Sequence, residues 1–383
     1  MWRLSDTVAE EFKKSMDEIL EAIKEYAAKL SDEVKWKELP QPIECVAYGV
    51  DGSVGSERRS GVVVYAVSGV ATGNRILEMH DIATMKTYKH IDERLKLHMA
   101  LMELRSGAMV EDAEIVLMDG TLSGYIIRPP AYVTDNRTYS SLVNKYDFDN
   151  LIQEFLEALE EWWIKLEKDV KKGSYRGSTL LSRSPKFDKL ERRYRIESDE
   201  CKDDLRVLLE YVEYLHALDK LLDSDQIIVS VAKTFYKNEF IDIPGITDCP
   251  LLEFLAYEQF GKEKAAYIPF KYRKIDKKLP RVAEYFDNVK ILLDNLKACY
   301  ARFTDFGNIY LLESNKEIDD ELIAKIISLE ADGYLLPLIY AHKHAEIKRK
   351  ELKTLISALL NSVVANHPEY RLLLKYGREP LEE

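Results

Sequence analysis

The chain has 383 residues, 46% of them hydrophobic, and a formal charge of -12 from 67 acidic and 55 basic side chains. A disordered chain is excluded, and a protein that coats nucleic acid without a defined site is disfavoured, because Lys and Arg supply most of that affinity. No run approaches the roughly 20 apolar residues of a membrane span, the acidic N-terminal stretch lacks a signal peptide's apolar core, and Cys45, Cys201, Cys249 and Cys299 form no CxxC pair, so a cytoplasmic, reduced protein is expected.

Val8, Phe12, Met16, Ile19, Ile23 and Leu30 recur at helical spacing behind Ser5 or Asp6 as cap, which predicts one amphipathic helix serving as a packing or dimerisation arm. With the linker that ends in Pro40-Gln41-Pro42, it makes an N-terminal unit of 1–40 ahead of a core domain of 41–383. ECVAYGVDGS, SGVVVYAVSGVAT and RILEMHDIATM read as three strands, His90–Ser106 as a helix and AEIVLMDG as a buried strand. Helical patterns at 148–172 and 199–222 define an insertion at about 148–225, with the basic RSPKFDKLERRYR between them. QIIVSVAKTF is a further strand, 271–314 mixes strand and helix, and one helix over 336–364 closes the chain.

Two strands end alike, in GVDGS at Asp51 and LMDGT at Asp119. Each ending alone is a common turn. Placed around a meander, a helix and a strand, the pair matches the element order of a ribonuclease-H-like mixed α/β core, and two strand-end carboxylates side by side make a divalent-cation site. Ser53 and Thr121, next to these turns, are candidates to bond nearby backbone or a substrate phosphate. Glu93 shares a helix stripe with Leu97, Ala100 and Leu104, so it is expected to face the strands as a third ligand, and Glu103 to be solvated. Three carboxylates suit phosphodiester hydrolysis through two metal ions. His342 shares a face with Leu338, Ala345 and Leu352 and is expected to point inward, as a ligand or as a satisfied core residue. Lys233, ending its strand, is a candidate to meet a substrate phosphate or else snorkels. Arg183, Lys186, Arg192, Arg193 and Arg195, with Lys271, Arg273, Lys274, Lys277 and Lys278, are candidates for a DNA-guiding surface or for solvated faces.

Taken in order, AYGVDGS, LMDGT, VSVAKTF and GYLLPLIYAHKHAEI resemble the NurA family of archaeal and bacterial nucleases over about 43–362. The resemblance implies a ribonuclease-H-like fold with metal-binding acids at Asp51 and Asp119, the helix glutamate at Glu93 and a late histidine at His342. It further implies a homodimer with Mn²⁺-dependent 5′-to-3′ exonuclease and single-strand endonuclease activity, acting on single- and double-stranded DNA. Mg²⁺ is the alternative ion. The partner it implies is a HerA-like hexameric translocase in DNA end resection, which would place the protein at the nucleoid. A non-catalytic adaptor of such a motor and an actin-like ATPase are the rival readings.

Overall fold

Val62–Thr72 is buried along almost its whole length, which a strand achieves only when both faces of its sheet are covered. The computed structural model describes residues 6–87, 90–127, 142–144, 146–173, 178–196, 199–233, 247–273, 275 and 279–375. Lys37–Glu38 (β1), Ala47–Arg58 (β2), Val62–Thr72 (β3), Ile76–Lys86 (β4), Ile115–Asp119 (β5), Ile227–Ala232 (β6), Ala266–Arg273 (β7), Leu296–Arg302 (β8) and Ile309–Ser314 (β9) form one mixed sheet in the order β1-β7-β8-β9-β6-β5-β2-β3-β4. β2, β3 and β4 are an antiparallel meander, β5 runs parallel to both β2 and β6, and β9, β8, β7 and β1 continue antiparallel. The expected mixed α/β core is therefore present. The proposed linker does more than connect, since its Lys37–Glu38 pairs with β7 at the sheet edge.

The first helix, α1 (Asp6–Leu30), has the expected bounds. Its last turns bury Ile23 and Ala27, and Ala27 packs in a cluster with Leu251, Leu252, Leu255 and Ala256 of a helix at Asp248–Phe260, whereas Val8, Phe12 and Met16 stay exposed. α2 (Ile91–Ala108) lies between the sheet and the insertion helix Asp199–Leu222. Residues without side chains allow it to approach: a Cβ on Gly69 would stand 2.5 Å from Met102. The insertion also contains Phe148–Lys171 and a short Pro185–Arg193, started by Ser184, whose hydroxyl accepts the Lys186 N–H, and by Pro185 at the first turn.

The closing helix is two helices, Leu336–Ala345 and Arg349–Asn366. Glu346 leaves the helical conformation and Lys348 is extended, and the interruption lets Ile347 donate its N–H to Ser53 Oγ (3.2 Å) and pack with Val64, Ala66, Leu352 and Ile356. Continuous apolar periodicity hides such a break, because tertiary contact decides it.

Candidate active site

Parallel pairing sets the first two carboxylates together. Val50 is registered with Met118, so Asp51 and Asp119 follow side by side where β5 ends. Asp51 is 6% exposed; its carboxylate accepts the Gly52 N–H (2.8 Å) and bonds His342 Nδ1 (2.7 Å). Burial and then the charge of Asp119 raise the Asp51 carboxyl above its ordinary value, and the His342 bond opposes them. Asp119 carries an ion pair of 2.9 Å from Lys233, whose ammonium also lies over the Tyr334 ring, 4.6 Å from its centroid.

The assignment of helix faces in α2 is reversed. Glu93 sits in the first turn with its side chain 47% exposed and 3.4 Å from His90 Nδ1, so it does not face the strands. Glu103 is 5% exposed and lies against β2: a Cβ built on Gly52 would come within 2.6 Å of its Cγ and 2.7 Å of its Oε1. Tyr125, from the short helix α3 (Leu122–Ile127), donates to Glu103 Oε2 at 2.7 Å. The cause of the reversal is burial on two sides. From Arg94 to Gly107 most positions of α2 are covered, by the sheet on one side and the insertion on the other, so an apolar stripe no longer marks the single inward face.

His342 also departs from expectation. It does not enter the core, its side chain being 64% exposed, yet its ring reaches the carboxylate of Asp51. Its helix crosses β2 closely, for a Cβ on Gly49 would stand 2.2 Å from the Pro337 carbonyl, and Thr72 Oγ1 donates to that carbonyl at 2.9 Å. Because successive strand residues face opposite sides, Asp51 meets the His342 helix while Gly52 opens toward α2, and Asp51 and Glu103 flank the strand from opposite faces. Among the described residues no three His, Cys, Asp or Glu side chains converge on one ion-sized point.

Ser53 accepts the Ile347 N–H and Thr121 accepts the Gly124 N–H at 3.0 Å, the local bonding of the two uses open to each. Tyr334 is the residue that pattern reading missed. Its hydroxyl is buried without a hydrogen-bond partner among the described residues, and burial, then the charges of Asp119, Tyr310 and Asp51, raise its pKa. In the apolar segment GYLLPLIY a tyrosine reads as core, so only the Gly-Tyr step ahead of His342 could have marked it. Of the basic candidates, Arg183 is half-buried, over the Tyr65 ring and bonded to the Thr84 carbonyl, so its guanidinium is engaged within the fold. Arg193 pairs with Glu154 and Lys186 with Glu161. Lys271 and Arg273 lie in β7, and Lys274, Lys277 and Lys278 fall outside the described residues.

Comparison with known proteins agrees with this arrangement of elements. A DNA double-strand break repair nuclease NurA of Pyrococcus furiosus is 28% identical, with 91% of this chain and 92% of that protein aligned. A crystal structure of NurA bound to dAMP and manganese superimposes with a TM-score of 0.81 at 26% identity, over 94% of this chain and 98% of that one. The NurA nuclease from Sulfolobus solfataricus, at 16% identity, shares the fold with a TM-score of 0.60 over 95% and 98% of the two chains. The model of the NurA domain matches residues 45–347, most of the core described above, and this chain belongs to the NurA family.

Proposed function

We propose that the protein is a metal-dependent deoxyribonuclease that hydrolyses DNA phosphodiester bonds at Asp51, Asp119 and Glu103, with His342, Tyr334 and Lys233 beside them. The observation that carries this reading is the registered placement of Asp51 next to Asp119 at the end of a parallel strand pair. The five strands β4-β3-β2-β5-β6, three antiparallel and then two parallel, with α2 crossing between β4 and β5, support a ribonuclease-H-like core. The donors fit a hard divalent cation in kind: they are carboxylate oxygens, one of them raised in pKa by burial and then by its like-charged neighbour, with a hydroxyl nearby that has no hydrogen-bond partner among the described residues. Mn²⁺ is the expected ion, as in the dAMP-bound relative, with Mg²⁺ as the alternative and two ions per site. Bound there, such ions supply water activation and neutralise charge that develops on the phosphate and the leaving oxygen.

The chain's own groups have separate tasks. Asp51 is held by the Gly52 N–H and His342, so its carboxylate is aimed before substrate arrives. Lys233, tethered to Asp119, places an ammonium where an incoming phosphate meets it, while the hydroxyls of Ser53 and Thr121 steady the two turns. The reading extends to 5′-to-3′ exonuclease and single-strand endonuclease activity within end resection, with a HerA-type translocase and a homodimer in the nucleoid-containing cytoplasm. The exposed apolar stripe of Val8, Phe12 and Met16 on α1 is a surface suited to such contacts.

Cleavage of 5′- and 3′-labelled DNA with Mn²⁺, Mg²⁺ or EDTA tests the proposal. Asp51→Ala, Asp119→Ala and Glu103→Gln should each lower the rate by at least about a hundredfold, the scale of a lost charge-stabilising group, whereas Glu93→Gln should cleave like the parent. No cleavage by the parent in any metal, with or without a translocase, would leave an adaptor role instead.

A further inference from the structure

Resting on that assignment of Glu103, the geometry points to a further element of the site: Tyr125 is a positioning residue that aims the Glu103 carboxylate and ties it to the Asp119 strand end, and Glu313 with Ser123 holds Tyr125 in place. Tyr125 is 3% exposed and its hydroxyl stands 2.7 Å from Glu103 Oε2 and 3.2 Å from the carbonyl oxygen of Asp119. A phenol has one proton. The shorter, charge-assisted bond to the carboxylate takes it, and the hydroxyl remains lodged against the backbone of the neighbouring ligand. One small group thus spans two carboxylate-bearing elements that otherwise approach from different sides, α2 from one face and β5 from within the sheet.

Tyr125 needs its own support, since it stands on a helix of six residues. Thr121 caps that helix through the Gly124 N–H. Glu313, fully buried on β9, grips Ser123 with both oxygens, accepting its N–H and its Oγ–H at 2.8 Å each. Tyr214 of the insertion donates to the Tyr125 carbonyl at 2.5 Å. A buried carboxylate is costly unless its bonds are made, and Glu313 makes two of them to Ser123. The contact fixes the chain just beyond Asp119 and brings Tyr125 up under Glu103.

The test uses the full-length protein and Mn²⁺ alone, with free Mn²⁺ followed by electron paramagnetic resonance in the absence of DNA. Tyr125→Phe keeps the ring and removes the hydroxyl. It should weaken Mn²⁺ binding about tenfold, the lower end of the loss expected when a residue orienting a ligand is removed. The Mn²⁺ concentration for half-maximal cleavage should rise by the same factor while KM for DNA stays unchanged. If Tyr125 acts through Glu103, the double variant Tyr125→Phe/Glu103→Gln should bind Mn²⁺ no worse than Glu103→Gln alone. Unchanged Mn²⁺ affinity in Tyr125→Phe, or losses that add in the double variant, would make Tyr125 an ordinary core residue while leaving the Glu103 assignment standing. If Glu103→Gln itself leaves Mn²⁺ affinity unchanged, the underlying reading fails and this one with it. Should Tyr125→Phe not fold, Ser123→Ala reads the same path, with a smaller loss of Mn²⁺ affinity expected and no loss overturning the proposal.

Discussion

At Gly52 the absence of a side chain is what leaves room for a carboxylate. A methyl group there would displace the Glu103 side chain from its bond to Tyr125 and press on the Ser68 carbonyl at 3.0 Å, whereas at Gly49 it would meet the Pro337 backbone, which cannot move aside. Gly52→Ala should therefore fold with a loss of about 1–3 kcal/mol, typical of overpacking, and lose most of its cleavage. Gly49→Ala should give little folded protein at all, and circular dichroism with an activity assay on both would check the contrast. Asp51 gives a second prediction with a defined sign. Its carboxyl is raised in the folded chain, so the fold favours the protonated form and bears a penalty for the ionised one above the ordinary value of 3.8. Asp51→Asn should raise Tm at pH 7, and the gain should shrink as the pH falls toward 3.8; a gain that is constant with pH would contradict the cause given. The adjacent placement of the two aspartates was legible because like endings, each a common turn alone, recur around a meander, a helix and a strand. Glu103 was not, since its burial depends on a helix packed between two layers, and nothing local to the sequence reports the second layer.

Among elements, the contact of α2 with the insertion helix decides where Glu103 stands. Arg94 pairs with Glu210 at 2.7 Å and Arg105 with Glu213 at 2.7 Å, all four side chains nearly or fully buried, and His98 lies 3.2 Å from Glu210. Arg94 and His98 hold the Glu210 carboxyl well below the usual carboxylate range despite its burial. Glu213 also accepts the Leu181 and Ser182 N–H groups, which ties in the segment before Pro185. Breaking such a pair from one side strands the other charge, so Arg94→Leu should cost about 3–5 kcal/mol. The double variant Arg94→Leu/Glu210→Leu should recover much of that in urea unfolding. The bounds of these helices followed from apolar periodicity, which is strong over 24 residues in each insertion helix. The partners of their charged positions did not, because pairing 116 residues apart leaves no trace in spacing.

Over the whole molecule, the order of strands and helices in the first half was readable, as each element carries its own period and its own Gly or Pro punctuation. The strand order was not, because the sheet edge formed by β1 and β7 joins segments more than two hundred residues apart. The acidic balance has a measurable side: with a net charge of -12 the field of the whole chain opposes DNA, so the salt dependence of binding should be shallow for a nuclease. A slope of log affinity against log salt that corresponds to about three phosphate contacts or fewer, using roughly -0.9 for each, is the expected outcome in a filter-binding titration.

The bond between Asp51 and His342 joins residues 291 positions apart. A growing chain exposes its first aspartate early and acquires the matching histidine only 291 residues later. Contacts of such separation form late in folding as well, since the loop must close before they contribute. Cutting power is thereby linked to the emergence of the late helix: a nascent polypeptide that stops short of residue 342 holds the sheet's first strands but not the group that aims their carboxylate. Ribosome-bound chains arrested before residue 342 emerges should leave added DNA intact, and chains extended by a tail long enough to clear the exit tunnel should degrade it.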